Sequence, residues 1–116
     1  MEGQVLVKHW IKPPVIVDET GDIDVFESVE DAELYLEPID VEHNRFIAFD
    51  SVGRLLRLIP TTPRITIEAA EEVPNHAERL RELLIQFLKN CRVTDSNLSN
   101  LSLPELVLKS LAFTTR

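Results

Sequence analysis

The strongest constraint on the fold lies in residues 74–92, where apolar side chains recur at intervals of three and four. This spacing places seven of them on one face of a helix and leaves charged and polar side chains on the other. The seven are Ala77, Leu80, Leu83, Leu84, Phe87, Leu88 and Cys91. Asn75, next to Pro74, is predicted to cap this helix. Because a helix with one apolar stripe must cover another apolar surface, the rest of the chain has to provide one.

Two segments near the N-terminus have strand character. Residues 15–17 and 23–26 are rich in β-branched side chains and flank a polar turn that contains Gly21, so they predict a first hairpin. A further strand is predicted over residues 4–11. It ends at residues 13–14, since two successive prolines cannot donate hydrogen bonds to a sheet.

The middle of the chain predicts a second hairpin and one more strand. Residues 45–49 and 54–59 flank a turn that ends at Gly53, which is the clearest hairpin pattern in the sequence. Residues 64–68 alternate between apolar and polar side chains, as a strand with one wet face does. An antiparallel sheet built from these strands supplies the surface that the long helix needs.

A short helix is predicted over residues 29–36, directly after the first hairpin. Ser28 is a good N-cap, Asp31 follows three residues later as in a capping box, and Pro38 ends the helix. The apolar side chains within it recur at helical spacing, so it is expected to pack on the sheet.

A last helix is predicted to begin after Ser102 and to run to about Ala112, with Pro104 and Glu105 in its first turn. The predicted order is therefore β-β-β-α-β-β-β-α-α. We expect a single α+β domain over residues 1–116. Its sheet is mostly antiparallel, five- or six-stranded and curled; one long helix packs on it, with a short helix after the first hairpin and a short C-terminal helix.

The charge of the chain is unevenly distributed. The net charge is -8, and the first 50 residues hold 13 acidic side chains against three basic ones. No Lys or Arg lies between Lys12 and Arg45. That interval holds Asp18, Glu19, Asp22, Asp24, Glu27, Glu30, Asp31, Glu33, Glu37, Asp40 and Glu42. Such a field repels phosphate backbones and argues against a nucleic-acid ligand, whereas it attracts a basic protein. The alternative interpretation is that the acidic side chains only keep a small domain soluble.

The sequence contains no recognisable catalytic, metal or cofactor motif. Asp18, Asp22 and Asp24 do not have the spacing of a calcium loop, and the three glycines are too few for a phosphate-binding loop. Cys91 is the single cysteine and is expected in the core, which makes its thiol unreactive. We therefore expect no enzyme activity, no bound metal and no cofactor. An enzyme of an unfamiliar kind is the less favoured alternative, which a deep polar pocket joining His9 or His43 to carboxylates would support.

The composition also favours a cytoplasmic protein without a membrane segment. No apolar run approaches the roughly 20 residues that span a bilayer, and the N-terminus lacks a secretory signal pattern. A single cysteine cannot form an internal disulfide, which suits a reducing compartment. Arg54, Arg57 and Arg64 give the second hairpin a basic side, which we interpret as charges that guard a sheet edge.

A protein-binding surface is the function that the remaining features favour. Aromatic side chains surrounded by charge are typical anchors of protein interfaces. The predicted partner-binding residues are Trp10, Glu30, Glu33, Tyr35, Glu37 and Asp40. Packing of Trp10 in the core is the alternative for that residue. A second hypothesis is a homodimer or assembly subunit joined through the C-terminal helix, because residues 103–113 are apolar on more than one face.

Two stretches carry a resemblance to other proteins. They are residues 24–41, DVFESVEDAELYLEPIDV, and residues 49–56, FDSVGRLL. Together they resemble a loosely defined group of small acidic bacterial proteins of unassigned role, some of which look like immunity proteins of toxin systems. The resemblance covers about the first half of the chain and names no catalytic residue. It implies a small acidic inhibitor that binds a basic toxin or enzyme.

Overall fold

The computed structural model describes residues 8–61, 63–93 and 97–114. Five antiparallel strands form one open sheet in the order β2-β1-β3-β4-β5. The strands are β1 (Val15–Glu19), β2 (Asp22–Phe26), β3 (Ile47–Phe49), β4 (Leu55–Pro60) and β5 (Ile65–Ala69). Both predicted hairpins and the strand after them are confirmed, and β2 and β5 lie at the edges of the sheet.

Within the described residues, four α-helices accompany the sheet, apart from the helical Lys8 and His9. They are α1 (Val29–Tyr35), α2 (Pro38–Glu42), α3 (Ala77–Asn90) and α4 (Leu103–Thr114), with a short 3-10 helix at Leu98–Asn100 before α4. The α+β class, the long helix and the two predicted short helices are confirmed. Helix α2 was not predicted: Pro38 ends α1, as expected, but it also occupies the first turn of the next helix, where its missing N–H costs nothing.

The predicted helix caps are confirmed at two of three positions. The Ser28 hydroxyl accepts a hydrogen bond from the Asp31 N–H at 3.0 Å. In α4, the Ser102 hydroxyl accepts from the Glu105 N–H and the Glu105 carboxylate accepts from the Ser102 N–H, which is a reciprocal capping box. The prediction for Asn75 is wrong, because the residue that precedes α3 is His76, whose side chain makes no capping hydrogen bond.

Helices cover both faces of the sheet. On one face, α1 and α2 bury Val29, Ala32 and Val41 against side chains such as Val17 and Ile67. The other face is covered by α3 and α4, which place a row of leucines and a valine over the opposite side chains of the same strands. That row consists of Leu80, Leu84, Leu88, Leu106 and Val107. Strand β1 is buried on both faces, which suits its run of apolar residues 15–17, whereas β5 alternates buried with partly buried side chains.

The predicted strand over residues 4–11 is wrong where the structure describes it; residues 4–7 lie outside the described residues. Lys8 and His9 are helical, and the Ile11 N–H donates to the Lys8 carbonyl at 3.2 Å. A hydrogen bond over three residues closes a turn, and an extended strand cannot make it. Alternation of apolar and polar side chains over so short a segment did not distinguish the two conformations.

Candidate partner-binding surface

The junction of α1 and α2 sets the position of Tyr35. Ala32 and Leu36 are buried and fix the inner side of α1, so Tyr35 is left on the outer side and is half exposed. Its ring lies against Phe26 at the end of β2, with 5.4 Å between the ring centroids. After Leu36 the backbone becomes extended, which the following Pro38 favours, and α2 then begins.

Tyr35 stands at the side of a depression that carries four carboxylates, which we call the acidic depression. Its volume is about 340 Å³. It is lined by Glu19, Asp24, Tyr35, Leu36, Glu37, Asp40 and Phe46. The acids come from the hairpin β1–β2 and from the α1–α2 junction, two regions that the fold brings together. No Lys or Arg is present among the described residues that line it, so the depression attracts cations.

On the other side of Tyr35 lies a second recess, which we call the apolar groove. It has a volume of about 380 Å³ and lies beside the edge strand β2, between α1 and α4. Its lining residues are Val25, Phe26, Glu27, Asp31, Leu34, Tyr35 and Leu111. Tyr35 is therefore a wall shared by a charged recess and an apolar one. The two recesses together suit a bound side chain that has an apolar body and a charged end.

Three of the six predicted partner-binding residues lie together around the acidic depression, namely Tyr35, Glu37 and Asp40. Glu30 is exposed and lines a different depression, in which Lys8 and His9 also lie.

Glu33 contacts the protein's own sheet edge. Its carboxylate accepts from the Ile67 N–H at 2.8 Å and forms an ion pair with Lys8, whose ammonium donates to the Ile67 carbonyl at 3.3 Å. Together the two side chains satisfy both backbone groups of one residue of β5, as a neighbouring strand would. Because a partner would have to displace these bonds, Glu33 is better placed to protect the edge than to recruit a protein.

Trp10 lies away from the acidic depression. Its side chain is half-buried and packs against the core on the α1 side of the sheet. Its carbonyl accepts a hydrogen bond from Arg54 at 2.7 Å. The geometry supports the alternative of a core-packing Trp10.

Arg57 lies on β4, an interior strand, and Arg54 immediately precedes that strand, so neither guards a sheet edge. Arg57 forms an ion pair with Glu68, its cross-strand partner on β5, at 2.7 Å. Arg54 pairs with Asp50 and donates to the carbonyls of Trp10 and Glu72. The edge interpretation is therefore wrong for both residues: their charges hold neighbouring segments together.

Asp50 is a fully buried carboxylate that the sequence did not single out. One oxygen accepts from the N–H groups of Val52 and Arg54 within the β3–β4 turn, and the other accepts from the Lys12 N–H at 3.1 Å and from the Arg54 guanidinium. Four donors satisfy the charge, so Asp50 stabilises the turn and ties it to the N-terminal segment. The sequence signal for this role was an Asp three residues before a turn Gly. The same spacing recurs at Asp18 and Gly21.

Glu71 joins the start of β4 to the loop before α3. One of its carboxylate oxygens accepts from the N–H groups of Leu55 and Asn75, at 2.8 and 3.1 Å, and contacts Nδ1 of His76 at 2.9 Å. Partial burial by itself would raise the pKa of Glu71, but these hydrogen bonds outweigh it and hold the pKa below its ordinary value of 4.5. The same loop meets the β3–β4 turn, where the His76 N–H donates to the Gly53 carbonyl at 2.9 Å.

Cys91 ends α3 and is half-buried rather than part of the closed core. Over the part of the chain that the structure describes, no three His, Cys, Asp or Glu side chains are grouped to hold a metal ion. Within the same residues, no helix has both the length and the apolar character to cross a membrane. The chain matches no family model, no curated protein and no solved structure.

Proposed function

We propose that this chain is a non-catalytic protein-binding domain of the cytoplasm that holds a basic partner against the acidic depression. The observation that carries the proposal is the convergence of Glu19, Asp24, Glu37 and Asp40 around one half-exposed tyrosine. Charges of one sign concentrated at a concave surface accelerate the arrival of an oppositely charged partner. The aromatic side chain beside these carboxylates supplies the contact area that holds the partner.

An inhibitory role follows from the same features. A small acidic domain that covers a basic, functional surface of a toxin or enzyme would block that surface, in the manner of immunity proteins of bacterial toxin systems. Charge complementarity of this kind mainly raises the association rate and the selectivity for the partner. The acidic depression and Tyr35 would then be the part of the inhibitor that the partner meets first.

The test is a charge reversal with a matched control. The protein and two double variants, Glu37→Lys with Asp40→Lys and Glu72→Lys with Glu78→Lys, are used to capture proteins from a lysate of the native organism at low and moderate salt. All four positions have exposed or partly exposed side chains, so both variants should fold. We expect a basic protein that the unmodified chain and the control retain and that the Glu37/Asp40 variant loses.

Binding of the identified partner is then measured by stopped flow. The Glu37/Asp40 reversal should lower the association rate about tenfold at low salt, because steering contributes factors of ten or more. Expression of the partner alone should harm the cell, and co-expression with this chain should relieve the harm. Equal retention of every protein by both variants would contradict the proposed surface.

A second candidate function rests on apolar side chains that α4 leaves exposed. Leu108 is 66% exposed and Phe113 is 51% exposed, and neither belongs to the face of α4 that buries Leu106 and Val107. A homodimer or assembly joined through α4 would bury both. Light scattering at tens of micromolar distinguishes the two: a dimeric mass that becomes monomeric in Leu108→Ser favours assembly, and a monomeric mass excludes it at that concentration.

A further inference from the structure

The apolar groove combines an apolar wall with an acidic rim. Phe26, Leu34, Tyr35 and Leu111 form the apolar surface, while Glu27 and Asp31 are exposed at its margin. These groups come from three elements: the end of β2, α1 and α4. The groove is therefore a product of the tertiary fold and not of a single amphipathic helix.

Two of its apolar side chains remain largely exposed in the monomer, whereas Phe26 is buried and Leu111 is partly buried. Leu34 is 62% exposed and Tyr35 is 50% exposed. Leu34 follows Asp31 by one helical turn, so a leucine in water and a carboxylate lie next to each other on α1. On α4, Leu111 follows the exposed Leu108 at the same spacing, which extends the apolar surface along that helix.

Charge decides which occupant suits this groove. The described residues that line it include two carboxylates and no Lys or Arg, and the chain as a whole has a net charge of -8. A second copy of the chain would bring its own acidic rim against this one, and a phosphate backbone or an anionic lipid surface would be repelled. A protein segment with basic residues beside apolar ones complements both parts of the groove.

We propose that the apolar groove binds a basic amphipathic segment of the partner protein. An apolar side chain of that segment inserts between Leu34, Tyr35 and Leu111. A Lys or Arg one helical turn away pairs with Glu27 or Asp31. The inference rests on the proposed function and deepens it, because it names the chemistry of the partner segment and places a second contact beside the acidic depression.

The test uses the full chain and three synthetic peptides of about 18 residues, roughly five helical turns. The first has Lys and Leu in an amphipathic helical pattern. The second has the same composition in an order that spreads Leu around the helix, and the third has Glu in place of every Lys. Affinities are measured by calorimetry at low and at physiological salt.

Two variants of the chain report on the groove. Leu34→Ser removes an exposed apolar side chain from it, while Val73→Ser removes a similarly exposed one, 61% exposed, from the loop before α3. We expect the amphipathic Lys/Leu peptide to bind the chain about tenfold more tightly than the reordered peptide. Leu34→Ser should remove that advantage and Val73→Ser should not, because truncation of a central anchor costs at least this much.

Other results separate this inference from the proposed function. Equal binding of the amphipathic and reordered peptides, unchanged by Leu34→Ser, would overturn the groove proposal. An effect of the Glu37/Asp40 reversal would in that case still support binding at the acidic depression. Dependence on Leu34 without dependence on Glu37 and Asp40 would support the groove and contradict the acidic depression. Equal binding of the Glu peptide, no binding of any peptide, or a dimer that Leu34→Ser dissociates would overturn the groove proposal.

Discussion

At the scale of single residues, Glu71 makes the fold sensitive to acid. Its carboxylate accepts three hydrogen bonds that join β4, the loop before α3 and His76, and these hold its pKa below 4.5. A carboxylate whose pKa is lower in the folded than in the unfolded state stabilises the fold above its unfolded pKa. That stabilisation is lost as the pH falls through the folded pKa.

Glu71→Gln should therefore lower the free energy of unfolding by about 1–2 kcal/mol at neutral pH, since a neutral amide accepts these bonds less strongly. The difference from the unmodified chain should shrink as the pH falls below the ordinary pKa of 4.5 and through the lower folded-state pKa of Glu71, where its carboxylate becomes neutral. Urea unfolding between pH 7 and pH 3 measures it. Glu72→Gln, with an exposed side chain, makes the same charge change and should have little effect. A Glu71→Gln deficit that stays constant to pH 3 would contradict the assignment.

At the scale of secondary-structure elements, two serines of α4 are in opposite situations: one precedes the helix as its cap and the other lies within it. Ser102 caps the helix through its hydroxyl. Ser110 is fully buried against the sheet, and its hydroxyl has no hydrogen-bond partner within the described part of the chain. A buried hydroxyl without a partner costs free energy, and Ser is also a weaker helix former than Ala.

The same substitution should consequently have opposite effects at these two positions. Ser110→Ala should raise the free energy of unfolding by about 1 kcal/mol, and Ser102→Ala should lower it by about 1 kcal/mol through loss of the cap. Thermal and urea unfolding of the two variants, side by side, provide the comparison. A loss of stability in Ser110→Ala would show that its hydroxyl is satisfied in the folded protein.

Elements with a local signal were predictable, and sites that depend on tertiary contacts were not. The stripe of α3, both hairpins and the capping serines are local patterns, so the sequence predicts them. The apolar groove needs α4 to lie beside β2, which is a contact across most of the chain; the Val25 N–H donates to Thr114 at 3.1 Å. The engagement of Glu33 with β5 is equally non-local, which is why an acid that looked available for a partner is used internally.

At the scale of the whole molecule, acidic charge is concentrated where the hairpin β1–β2 meets the α1–α2 junction. Two unit charges about 10 Å apart in water repel by about 0.4 kcal/mol, and salt at about 0.1 M screens such pairs over a similar distance. The four carboxylates of the acidic depression therefore repel one another in the folded chain. Ion pairs such as Lys8–Glu33 and Arg57–Glu68 have the opposite sign and are weakened by salt.

With a net charge of -8, repulsion should outweigh these pairs. Sodium chloride from low concentration to about 0.5 M should raise the free energy of unfolding by about 1 kcal/mol, measured in urea because guanidinium is itself a salt. The double variant Glu37→Lys with Asp40→Lys replaces two negative charges by two positive ones, which changes the net charge from -8 to -4. Salt should raise its stability less than that of the unmodified chain. Glu72→Lys with Glu78→Lys changes the net charge equally, away from the acidic depression. A smaller salt response in the first variant than in the second would locate the repulsion at the acidic depression, where a basic partner would relieve it. Equal responses would assign the repulsion to net charge alone, and a fall in stability with salt would mean that the ion pairs dominate.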